Sequence, residues 1–159
     1  MNLPASPSAP APRRLPPLLL TAGLMAASAA AAWAGGALPL AGAWRGLGAA
    51  VLLAGLALML WAALHFRQAR TTLDPRTPDR ASSLVRGGPF GFSRNPMYLG
   101  MALMLGGWSA VLATPLGVLA LLAFVAWIDR RQIPPEEAAM RSLFGADYVA
   151  YCQQVRRWL

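Results

Sequence analysis

Apolar runs and polar breaks alternate along the chain and lay out its helices before any other property is considered. Leu15–Ala34 is an apolar, alanine-rich run close to the ~20 residues that cross a bilayer, and Gly35-Gly36 with Pro39 break it. Leu47–Phe66 is a second run of suitable length. The pattern then changes in kind. The stretch 67–93 holds Arg67, Arg70, Arg76, Arg80 and Arg86 with Asp74, Asp79 and several Pro and Gly residues, which excludes it from hydrocarbon. Met97–Ala113, a tight Thr114-Pro115 turn and Leu116–Ile128 make an apolar hairpin. Both limbs are shorter than a comfortable span, so the hairpin tilts, thins the bilayer, re-enters from one face, or continues as helix through Asp129–Gln132.

The sharpest boundary is Gly88-Pro89-Phe90-Gly91-Phe92-Ser93-Arg94-Asn95-Pro96-Met97-Tyr98-Leu99-Gly100, where a basic loop turns into an apolar helix. Asn95 is a favoured N-cap and Pro96 suits the first helical position, where its missing N–H costs nothing. A helix start with Arg94 beside it is a place for a carboxylate or phosphate. Beyond the hairpin, Pro134-Pro135 followed by Glu136-Glu137 reads as a helix start with acids in the first turn. After Leu143-Phe144-Gly145, the residues Tyr148, Tyr151, Cys152 and Val155 share one face of a second short helix, and Arg156, Arg157 and Trp158 suit a headgroup anchor.

The fold expected is therefore all-α: an integral membrane bundle of about four transmembrane helices with a short C-terminal hairpin and an amphipathic tail. Residues 1–14 are expected to form a disordered tail, 15–133 the transmembrane domain with its loop 67–95, and 134–159 a tail against the mouth of the bundle. Arg13-Arg14 ahead of the first run also fits a secretion signal, so cleavage of the first helix stays open. A Gly42-to-Gly46 spacing is a weak candidate for close helix packing.

Composition supports this reading: 57% of residues are hydrophobic and only 13% charged, far below soluble domains. The net charge of +8 lies between apolar runs without interleaved aromatic residues, so it marks topology and anionic lipid, not nucleic acid. All fourteen basic residues are Arg, which excludes lysine amine chemistry. One Cys, Cys152, and one His, His65, exclude an internal disulfide and Cys- or His-rich metal sites. Only Arg45 lies in a short connection between spans, so both termini and the central loop are expected on the cytoplasmic side.

If the hairpin closes, Arg94, Asn95 and Tyr98 face Asp129, Arg130, Arg131, Glu136 and Glu137 across one mouth. Such a pocket suits a zwitterionic or cationic ligand with an aromatic part. The ordered pattern Leu84-Val85, Gly88-Pro89-Phe90, Ser93 to Gly100, Glu136-Glu137, Leu143-Phe144-Gly145, Tyr148, Tyr151 and Val155-Arg156 resembles the isoprenylcysteine carboxyl methyltransferase and phospholipid methyltransferase superfamily. These are integral membrane enzymes that use S-adenosylmethionine, and the resemblance covers roughly residues 70–159. It implies cofactor contacts at Leu84, Val85, Phe90, Arg94, Asn95, Pro96, Met97, Tyr98, Glu136 and Glu137, and an acceptor-orienting role for Arg130. The eukaryotic isoprenylcysteine enzymes usually carry His where Asn95 stands and Tyr where Phe90 stands, and their acidic run begins where Pro134-Pro135 stand here. The expected activity is methyl transfer to a lipophilic or small acceptor. Phospholipid N-methylation, small-thiol methylation and a non-enzymatic scaffold or transporter subunit are the alternatives.

Overall fold

The computed structural model describes residues 15–39, 42–68 and 84–159, and all regular structure among them is helical. The expected tail at 1–14 and most of the central loop lie outside the described residues. Helix α1 runs Pro17–Ala31 with Pro17 at its first position, and widens into a π turn, Ala32–Gly36, that Gly35 closes at φ +93°. Only glycine takes that backbone conformation without strain, so the break expected at Gly35-Gly36 has a local cause. Helix α2, Gly42–Gln68, starts before the expected Leu47 and takes Arg45 into its first turns. Among the described residues, the stretches Pro17–Gly35 and Gly42–Gln68 are the two helices long and apolar enough to cross a membrane.

Helix α3, Pro96–Leu112, starts on Pro96 as its sequence dictates and ends with Ala113 in the left-handed conformation at φ +53°. Helix α4, Pro115–Trp127, starts on the next proline. The turn between them meets the end of α1, where the Leu38 N–H donates to the Ala113 carbonyl at 2.6 Å. Thus the α1–α2 and α3–α4 connections share one end of the bundle, and the start of α3 and the end of α4 share the other.

α2 lies against α3 through paired glycines seven residues apart, Gly48 and Gly55 on one helix and Gly100 and Gly107 on the other. A Cβ on Gly55 would stand 2.6 Å from the Gly100 carbonyl oxygen, and one on Gly100 would stand 2.6 Å from the Gly55 oxygen. Small residues allow such approach, and a seven-residue repeat keeps the seam on one face. Gly42 and Gly46 meet nothing within 4 Å, so the close packing expected there is corrected to the heptad-spaced set.

The core is Met101 and Leu105 of α3, Phe124 of α4, then Ile128 and Ile133, covered by Leu20, Leu24 and Met25 of α1. Thr21 and Ser28 of α1 are buried, and their hydroxyls donate to the Pro17 and Leu24 carbonyls of their own helix at 2.9 and 2.7 Å. α4 does not stop at Trp127. It widens into a π turn, Ile128–Gln132, where the Ile133 N–H reaches back five residues to the Ile128 carbonyl, and runs on as α5, Ile133–Gln154. Pro134 and Pro135 have no N–H to give and their rings crowd the preceding turn, so the widened turn admits them without breaking the rod. Pro134-Pro135 was expected to begin a separate helix; the helix instead continues through Asp129–Gln132. Gly145, at φ +49° and ψ −122°, then bends α5 sharply.

Candidate functional site

The bend at Gly145 turns the second half of α5 back over the start of α3. Tyr148, Tyr151 and Val155 are buried there and pack with Leu84, Met140, Phe144 and Cys152. The Tyr151 hydroxyl donates to the Phe90 carbonyl at 2.7 Å, which anchors the 3-10 turn Gly88–Gly91 to α5. Burial pushes the Tyr148 hydroxyl far above its usual range and that of Tyr151 up to about 12, so both are neutral donors. Phe90 is buried with its ring edge-on to Phe66 of α2 at 5.3 Å. His65 underlies Gly88, whose added Cβ would meet the imidazole Nε2 at 2.5 Å, and its ring meets Trp61 edge-on.

At the start of α3 the backbone behaves as a capped helix, with the Leu99 N–H donating to the Asn95 carbonyl at 3.0 Å. The Asn95 side chain, expected to cap that helix, does something else. Its Nδ2 donates to the Arg157 carbonyl at 3.0 Å, while buried Ser93 accepts the Asn95 N–H on its hydroxyl at 3.1 Å. Asn95 is thus a long-range tie, and the local polar anchor is Ser93. Pro96 is buried beneath this junction and Met97 is half-buried beside it.

The two polar clusters meet. Tyr98 donates to Glu136 Oε1 at 2.8 Å, and Gln132 Nε2 donates to the same oxygen. Arg94 Nη1 stands 3.3 Å from Glu137 Oε1, both side chains nearly buried at 13% and 10% exposure. Arg157 grips Glu137 with two parallel bonds, Nε to Oε1 at 3.1 Å and Nη2 to Oε2 at 2.9 Å, and reaches Asp129 Oδ1 with Nη1 at 3.1 Å. The Trp158 indole N–H donates to the same Asp129 oxygen at 3.1 Å. Partial burial works against the charge on Asp129, but the hydrogen bonds from Arg157 and Trp158 outweigh it and hold the carboxyl below its usual range.

Arg94, Asn95, Tyr98, Glu136 and Glu137 therefore come together, with Leu84 and Phe90 supporting the flank and Val85 half-buried in the same stretch. Arg130 and Arg131 are exposed at the rim. Ser93, Gln132, Arg157 and Trp158 belong to the cluster without having been singled out for it. Arg157 and Trp158 were read as headgroup anchors, yet they spend their polar atoms on Asp129 and Glu137. The cluster also holds two buried polar atoms without a hydrogen-bond partner, Arg94 Nε and Gln132 Oε1. Left so, each costs the desolvation of a polar group.

Residues 44–147, well over half of the chain, match the phospholipid methyltransferase family. The chain belongs to that family. An uncharacterized protein of Haemophilus influenzae (strain ATCC 51907 / DSM 11121 / KW20 / Rd) is 41% identical over 63 residues, which is 40% of this chain and 100% of that relative. No solved structure matches. The phospholipid methyltransferase match runs from α2 to Asp147 and so includes Arg94, Tyr98, Asp129, Glu136 and Glu137. It leaves out α1 and the segment 155–159.

Proposed function

We propose that this family member is a multi-pass membrane methyltransferase that moves a methyl group from S-adenosylmethionine to a lipophilic acceptor. The observation that carries the reading is the convergence of the α3 start and the α4–α5 corner in one cluster of both charge signs, inside a methyltransferase family match. The residues fit that cofactor. An unpartnered guanidinium N–H on Arg94 and an unpartnered amide oxygen on Gln132 are a donor and an acceptor for the carboxylate and ammonium of an amino-acid moiety. Bound there, S-adenosylmethionine supplies a methyl group on a sulfonium whose departure leaves a neutral thioether, so the protein need not furnish an acid for the leaving group.

The work left to the chain is positioning and exclusion of water. Arg94 holds an anionic group beside α3, Tyr98 and Gln132 fix the Glu136 carboxylate, and Phe90 with Leu84 closes the apolar flank. Arg130 and Arg131 at the rim offer positive charge to an anionic part of the acceptor, a lipid phosphate or a carboxylate. For an amine or thiol acceptor, Asp129 or a glutamate is the group placed to take a proton. The proposed topology has four crossings, with α3 and α4 as the short pair. α4 ends its crossing at Trp127, and the π turn carries the helix on into α5 at the membrane surface, outside the hydrocarbon. Both termini and the 67–95 loop lie on the cytoplasmic side, where the cofactor enters, while the acceptor arrives laterally from the bilayer.

Calorimetry of S-adenosylmethionine and its demethylated product on protein in lipid nanodiscs tests this, with Arg94→Gln and Gln132→Leu, the two side chains whose unpartnered atoms would meet the ligand, beside the wild type. Saturable one-site binding, weakened tenfold or more by either change in folded protein, is the expected result. Labelled methyl transfer to phosphatidylethanolamine, a prenylated cysteine carboxylate and a small thiol then assigns the acceptor. Absence of binding by folded wild type in nanodiscs overturns the reading in favour of a non-enzymatic membrane protein.

A further inference from the structure

The segment after α5 crosses the mouth of the bundle as a strap, and its contacts are of a particular kind. Its main-chain carbonyls at Arg156 and Arg157 accept from the Arg94 N–H at 3.0 Å and the Asn95 side chain at 3.0 Å. Its side chains at Arg157 and Trp158 bind Asp129 in the π turn and Glu137 in α5. The start of α3 and the corner where the π turn runs into α5 are joined by three consecutive residues, all outside the stretch that matches the family.

Glu137 lies between two guanidiniums. Arg157 holds both its oxygens in a fork, whereas Arg94 reaches one oxygen at 3.3 Å and keeps its Nε free of any partner. A forked guanidinium–carboxylate pair is the stronger and better oriented of the two. Without Arg157, the nearly buried carboxylate would have one cation left, and the favoured arrangement would turn Glu137 fully onto Arg94, using the Nε–H now free for a ligand, since Nη1 already donates to Cys152 Sγ.

We propose that Arg157 is the positioning residue of this site: by holding Glu137 it keeps Arg94 available for the carboxylate of the methyl donor. This rests on the cofactor reading above and adds a residue and a role to it. Arg157 does not touch the ligand, and its effect is confined to the part of the ligand that Arg94 meets.

The test compares binding of S-adenosylmethionine with that of its decarboxylated analogue to the full chain in nanodiscs, for wild type, Arg157→Gln and Arg157→Lys. Wild type is expected to prefer the carboxylate-bearing ligand by tenfold or more. Arg157→Gln is expected to lose most of that preference while binding the decarboxylated analogue within about threefold of wild type. Lysine supplies the charge without the fork, so Arg157→Lys is expected to fall between the two and also decides the matter if the Gln variant does not fold. A merely structural role would weaken both ligands alike. Equal weakening of both ligands, or a wild-type preference kept in the folded variants, overturns the proposal and leaves the cofactor reading standing. No binding of either ligand by wild type overturns both.

Discussion

Gly55→Ala should destabilise the bundle although alanine is the better helix former. The added Cβ would stand 2.6 Å from the Gly100 carbonyl oxygen, 2.7 Å from the Met104 nitrogen and 2.8 Å from Leu103 Cβ. Two of these three are backbone and cannot step aside. Ordinary contact begins at 3.4 Å, so α2 and α3 must part by ~0.8 Å at this point. A gap of that size forfeits about a quarter to a half of the attraction between atoms facing across it. Overpacking of this type costs ~1–3 kcal/mol, and rigid neighbours put it in the upper half, while exchanging Gly for Ala in a helix returns ~1 kcal/mol. The net expectation is a loss of about 1–2 kcal/mol. Gly46→Ala, in the same helix but with nothing within 4 Å, should be neutral or stabilising. Reversible unfolding in mixed micelles of increasing denaturing detergent reads the difference. Gly100→Ala should resemble Gly55→Ala, and the double variant should lose less than the sum, because helices already parted admit the second methyl more easily. Equal stability of Gly55→Ala and Gly46→Ala would refute the close-packed seam. Function should follow stability here, because Gly100 lies two residues from Tyr98 and any shift of α3 stretches the bond from Tyr98 to Glu136.

The carboxylates should separate by depth. Glu137→Gln removes the charge that two guanidiniums share in a nearly buried position and should cost ~3–5 kcal/mol. Asp129→Asn, at a side chain 38% exposed, should cost ~0.2–1 kcal/mol, and thermal melts of the two variants at neutral pH check the order. Asp129 also sets a pH dependence: its carboxyl is held below its unfolded value, so its contribution is present above the ordinary carboxylate range and is lost as pH falls through the lowered value. Acid melting of wild type should therefore show a step at low pH that Asp129→Asn diminishes.

Proline made much of this fold legible. Pro17, Pro96 and Pro115 each open a helix within a residue or two of where the sequence places it, because a ring without an N–H is tolerated there and strains a helix interior. Pro134-Pro135 follow the same chemistry to a different outcome. The helix was already running and held on one side by Phe124, Ile128 and Ile133, so burial of that face favoured a widened turn over a new start. The meeting of Tyr98 with Glu136 and of Arg94 with Glu137 was also legible, since a hairpin returns its two ends to one place. What local pattern could not supply is the direction of the chain after Gly145. The positive φ there tips the second half of α5 across the start of α3, and only that tip brings residue 156 to residue 94. Asn95 illustrates the consequence. Its type and place fit an N-cap, yet a carbonyl sixty-two residues away claims its amide, and Ser93 takes the local bond. The same holds for Arg157 and Trp158, which on their own look like residues for a lipid headgroup. Once the strap lies over the mouth, Asp129 and Glu137 are closer and drier partners than lipid, and a fixed carboxylate outcompetes a mobile headgroup because no lipid has to be ordered to make the bond.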